Sequence, residues 1–95
     1  MCVDTGVDDQ IPWFVVVEAP GPARREIAAV LQFATHEEAT ATALHIARTH
    51  MPPMLVYVRE PHRWIMRTGA DNLMVILTGK RWNASFHVYV GQQVR

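Results

Sequence analysis

Ninety-five residues with nine Lys/Arg, nine Asp/Glu and one cysteine make a single domain, because two would each lack a useful core. A formal net charge of zero supplies no global field for nucleic acid or an anionic membrane, and Cys2 alone cannot close an intramolecular disulfide, which points to a reducing compartment. A hydrophobic content of 49% allows a chain of this size to bury somewhat over about 60% of its unfolded surface without a metal or a covalent staple.

Charge is unevenly spread along the chain. Residues 1–50 hold seven acids and three bases, whereas residues 51–95 hold two acids and six bases. Such a layout can orient a partner or let copies meet head to tail, although chance clustering in a short chain is the plainer account. The opening MCVDTGVDDQ is acidic where a secretory signal is basic. No run approaches the roughly 18 apolar residues of a membrane span. The expected location is therefore cytoplasmic, with no membrane partner.

In chain order, residues 1–10 contain three aspartates and little to bury, and are expected to form a flexible acidic leader to a domain over 11–95. IPWFVVVEA (11–19) reads as a strand with Pro12 at its start, where a missing amide is tolerated. PGPAR (20–24) breaks it. REIAAVLQF (25–33) fits two readings: at period two Ile27, Ala29, Leu31 and Phe33 share a face, while as a helix Ile27, Val30 and Leu31 share a side. The strand is preferred, since a helix here would have to turn abruptly into the next one, and the short link makes a hairpin with 11–19.

THEE (35–38) is the clearest local signal. Thr35 can cap the first free amides of a helix while Glu38 reaches back to the Thr35 amide, and Glu37 and Glu38 suit the positive end of the dipole. ATATALHIARTH (39–50) continues as helix, with Ala43, Leu44, Ala47 and Met51 in one stripe and Ile46 at its edge. Pro52 and Pro53 stop it. MLVYVRE (54–60) reads as a strand, WIMRT (64–68) as a short one, GADN (69–72) as a turn and LMVILTG (73–79) as a strand. After the reversal GKRWN (79–83), WNASFHVYV (82–90) alternates cleanly: Trp82, Ala84, Phe86, Val88 and Val90 on one face, Asn83, Ser85, His87 and Tyr89 on the other. The stretch REPHRW (59–64) reads as the turn and strand start where the sheet meets solvent.

The expected fold is α+β: one small domain, a mainly antiparallel sheet of five or six strands with one helix across one face, in the order β-β-α-β-β-β with one short extra strand allowed. A single helix of about fifteen residues covers only part of such a sheet. Either the sheet curls around it or apolar sheet surface meets another protein.

No motif names a chemistry. The five histidines, His36, His45, His50, His62 and His87, include no pair at the i, i+4 spacing of a helical metal motif, and no metal or cofactor is expected. GPARRE and TGADN lack the spaced glycines of a phosphate cradle. The expectation is a small non-enzymatic accessory or interaction module, self-associating as a homodimer or larger homo-oligomer or binding a protein partner. Phe14 and Val16 on the face of the first strand, and an exposed sheet edge, are its candidate contact surfaces. The alternative from another class is a single-stranded nucleic-acid module using Arg59, Arg63, Trp64, Arg67, Lys80 and Arg81, since arginines among aromatics are what bases stack upon; charges on an edge strand also serve simply to prevent unwanted pairing. A third reading is a small enzyme with His87 as acid or base beside Tyr89 and Ser85, to be discriminated by a concave pocket reaching His87.

Overall fold

A computed structural model describes residues 11–20, 24–51, 61–79 and 83–94. Five strands and one helix follow in order: β1 (Trp13–Pro20), β2 (Arg25–Phe33), α1 (His36–Thr49), β3 (His62–Arg67), β4 (Asn72–Thr78) and β5 (Asn83–Gln92). The expected α+β fold is present, and 25–33 is a strand. The short strand expected at 64–68 begins two residues earlier, directly after Pro61, whose fixed φ and missing amide suit a strand entrance. The expected strand at 54–60, the leader and Trp82 lie outside the described residues.

All pairings are antiparallel and the sheet order is β2-β1-β5-β4-β3. The first and last strands are therefore neighbours, and β5 is the central strand. Gln93 extends this seam by donating its amide to the Pro12 carbonyl at 3.4 Å. Between Val17 and Glu18 the β1–β2 register shifts, because Val17 pairs with Ala29 and Glu18 with Ile27. Ala28 is the extra residue of a bulge in the edge strand, which increases local twist.

The helix begins as the sequence implies. Thr35 is extended at φ −128° and ψ 153°, and its hydroxyl accepts the Glu38 amide at 3.1 Å. Glu38 does not reach the Thr35 backbone amide; its carboxylate accepts the Thr35 hydroxyl proton at 3.0 Å instead. Of the expected stripe, Ala43 and Ala47 are fully buried together with Ala39, while Leu44, Ile46 and Met51 pack partly buried around them. Three alanines four residues apart let α1 lie close on the sheet. Beneath them sit Val15, Val17, Leu77, Val75, Phe86 and Val88, none more than 1% exposed. These residues are one face of the inner strands, and Phe86 is the largest of them.

Candidate functional site: the open face of the sheet

Because side chains alternate along a strand, the register that puts Val15, Val17, Phe86 and Val88 under α1 puts their neighbours on the opposite face. Three cross-strand rows define that face. Val30, Val16, Tyr89 and Asn72 form one; Ile27, Glu18, His87, Met74 and Met66 another; Ser85, Ile76 and Trp64 a third. No described element covers it. Ile27, Val30, Trp64 and Met66 remain 66%, 55%, 53% and 42% exposed. Scattered exposed hydrophobes need no explanation, but four of them on one sheet face, on either side of Glu18 and His87, make that face a candidate contact surface.

One corner of the face is hollowed into a shallow groove of about 470 Å³, lined by Phe14, Val16, Val30, Tyr89 and Gly91. Gly91 pairs with Phe14, and a Cβ built on Gly91 meets nothing within 4 Å. The space beside Gly91 is therefore open. Thus Phe14 and Val16, expected from the sequence as contact residues, lie together in a concave part of the open face.

A polar cluster crosses the same face. Arg25 Nε donates to Glu18 Oε1 at 2.9 Å. Its Nη2 is shared among His87 Nδ1 at 3.0 Å, the Ser85 carbonyl at 3.2 Å and the Glu18 carbonyl at 3.4 Å. A guanidinium only donates, so His87 Nδ1 accepts and its ring proton lies on Nε2. Arg25 thereby ties β2 across β1 to β5. The His87 and Tyr89 rings stack at 5.7 Å with 6° between planes. The three residues of the enzymatic reading are thus side by side, but the groove reaches Tyr89 and not His87, and Ser85 enters the cluster through its backbone.

The described residues of the nucleic-acid reading, Arg63, Trp64 and Arg67, are not gathered on one surface. Trp64 stands on the open face beside His62, ring centroids 4.9 Å apart. Arg63 and Arg67 pair with Leu77 and Leu73 and so lie on the helix side. Arg63 Nη1 donates to the Ala47 carbonyl in the last turn of α1 at 2.8 Å, and Arg67 Nη1 to the Ala70 carbonyl at 3.1 Å. Arg59, Lys80 and Arg81 lie outside the described residues.

Two further arrangements were not legible in the sequence. His36 Nε2 meets Asp71 Oδ1 at 2.9 Å, with the Trp13 ring 4.5 Å from the imidazole. This clamp fastens the start of α1 to the β3–β4 turn; Thr40 beside it donates its hydroxyl to the His36 carbonyl at 2.8 Å. At the other end of α1, His50 lies edge-on to Phe86 at 5.0 Å, and among the described residues its buried Nε2 has no partner. Among the described residues no group of three or more His, Cys, Asp or Glu could hold a metal ion.

Burial, and then the nearby Arg63 charge, lower the His50 pKa below 6.5. The folded chain therefore binds fewer protons at this site than the unfolded chain. The contribution of this site to stability is fully present above pH 6.5, falls as pH drops below it and levels off once folded His50 is itself protonated. His50→Leu is expected to flatten that acid limb and, by removing a buried polar atom that has no partner among the described residues, to raise neutral-pH stability by about 1 kcal/mol. Urea unfolding of both proteins at a series of pH values measures this; parallel acid limbs would remove His50 as the cause.

No helix among the described residues is long and apolar enough to cross a membrane. No family model matches the chain, and neither a curated protein nor a solved structure does.

Proposed function

We propose that the chain is a small self-associating interaction module whose working surface is the open sheet face, occupied by a second copy. The observation that carries this reading is the uncovered face itself, with Phe14, Val16 and Val30 around the Gly91 hollow. Its size suits the role. Five strands about 4.8 Å apart, and about 3.3 Å per residue along a seven-residue β4, give a footprint of roughly 24 by 23 Å, about 550 Å² in projection. Side chains standing off the sheet raise the accessible area toward the ~800 Å² per partner of a standard interface.

Its charge suits a second copy. The described charged pair on the face, Arg25 and Glu18, is already joined, so stacking two such faces about a two-fold axis sets no unpaired like charges against each other. A strongly charged partner would find little to pair with here.

Phe14→Asp tests the proposal. The side chain points away from the core, so the fold is expected to survive while a carboxylate enters the apolar contact. Native mass spectrometry is expected to show the mass of the assembly halved relative to wild type, with an unchanged circular dichroism spectrum. An unchanged multiple of the 10.8 kDa chain in folded Phe14→Asp would remove the open face as the contact.

A further inference from the structure

The two edges of this sheet are built differently. On β3 the uncharged run Trp64–Ile65–Met66 is bracketed by His62 and Arg63 on one side and Arg67 on the other. Charges so placed discourage pairing with another strand. On β2 the charges stop at Glu26, and from Ile27 to Phe33 there is neither charge nor proline. Ile27, Val30 and Leu31 are 66%, 55% and 39% exposed. The bulge at Ala28 interrupts this edge at one point and leaves the five-residue run Ala29–Phe33 regular. Its outward amides and carbonyls have no partner strand among the described residues. An uncharged regular edge of this kind is a template for another strand.

We infer that the β2 edge pairs antiparallel with the β2 edge of a second copy, about a two-fold axis at Leu31. That register uses the regular run and nothing else: Leu31 faces itself, Val30 faces Gln32 of the second copy and Ala29 faces its Phe33. It leaves the bulge and the charged start of β2, Arg24 to Glu26, beyond the paired segment, so no like charges oppose each other. Pairing with β3 of another copy would instead set the apolar run against Arg63 and Arg67. An isologous contact is closed, whereas β2-to-β3 pairing is heterologous and builds a ring or an open filament.

The edge axis is perpendicular to the sheet. Both helices therefore lie on one side of the resulting ten-stranded sheet, and both open faces lie on the other. This contact goes beyond the open-face stack and is independent of it. The stack has its axis in the plane of the sheet; with that axis crossing the edge axis, the two contacts together close at four chains.

Leu31 gives a direct test. It projects to the helix side without belonging to the packed core, so a charge there leaves the fold intact. In Leu31→Lys two ammonium groups face each other across the axis; in Leu31→Glu two carboxylates do. Each is made in the Phe14→Asp background, which removes the open-face contact, so failure of that reading and failure of this one are separable. Wild type is expected at four times the 10.8 kDa chain mass and Phe14→Asp at twice it. Phe14→Asp with either Leu31 change is expected as the single chain. Mixing the Lys and Glu forms is expected to restore the two-chain mass as a mixed pair, because opposite charges now face each other.

Outward β2 amides of Phe14→Asp are also expected to exchange more slowly at high than at low protein concentration. A Phe14→Asp protein that is a single chain at all concentrations overturns the edge contact while leaving the open face in place. A two-chain Phe14→Asp protein unaffected by both Leu31 changes, or single-chain Lys and Glu forms that fail to pair on mixing, overturns it as well.

Discussion

Phe86→Ala is expected to cost about 3–5 kcal/mol, the usual range for emptying a fully buried aromatic site. Phe86 is completely shielded from solvent at the centre of the central strand, paired with Val75 and lying under α1. The hole cannot collapse easily, because the rigid ladder of β4–β5–β1 lies on one side and the close-set alanines of α1 on the other. Against a typical total of about 5–15 kcal/mol for a domain, such a loss leaves much of the protein unfolded at physiological temperature. Urea unfolding read by circular dichroism measures it. The variant also serves as a contrast to Phe14→Asp. The core change should lose fold and assembly together, the face change assembly alone. A Phe86→Ala midpoint close to wild type would show that the site refills, and would contradict a rigid packing of α1 on β4, β5 and β1.

Arg63→Ala is expected to cost about 1.5–3 kcal/mol, the range for a hydrogen bond to a charged group. The last carbonyls of a helix have no partner within it. In α1 the His50 amide takes the Ile46 carbonyl at 2.8 Å, and Arg63 takes that of Ala47. The guanidinium is half-buried there, and desolvation lowers its pKa, yet its positive charge at the negative end of the helix dipole is favourable. Alanine would leave the Ala47 carbonyl without this donor and unfasten β3 from the helix end.

A second consequence is specific to this arrangement. Arg63 is one of the two causes that lower the His50 pKa, so Arg63→Ala should also shrink the loss of stability below pH 6.5. Guanidinium-chloride unfolding at neutral and acid pH, with His50→Leu and the double variant completing a cycle, measures the coupling. Independent, additive effects of the two changes would break the proposed link. Weakened nucleic-acid binding by Arg63→Ala would for the same reason need a stability control before it counted as a lost contact.

Much of the architecture was legible along the chain because its causes are local. Thr35 and Glu38 fix the helix start through one cap, the helix ends at Thr49 as the Pro-Pro pair in the sequence led one to expect, and the period-two pattern of 83–90 fixes which of its residues face the core. β2 was the ambiguous case, because REIAAVLQF satisfies both periods; pairing with β1 decided it, and a helix at this edge would leave the backbone of β1 open. Ala39, which the expected stripe omitted, lies one turn before Ala43 on the same face and is fully buried with it, so the helical period already contained it.

The candidate surface divides in the same way. Composition and alternation showed more strand hydrophobes than one helix can cover, which left either a sheet curled around the helix or some apolar sheet surface bare. That much rests on counting faces, and it picked out Phe14 and Val16. Only the tertiary structure decided the order β2-β1-β5-β4-β3, which brings the first and last strands together. It thereby places Phe14 opposite Gly91 and lets Arg25 reach His87 across 62 residues of sequence. It also made β2 the unguarded edge and turned Arg63 inward to the helix end. Strand order is set by which long-range pairings bury the most surface together, a property of the whole chain, whereas caps, turns and alternation are set within a few residues of each other.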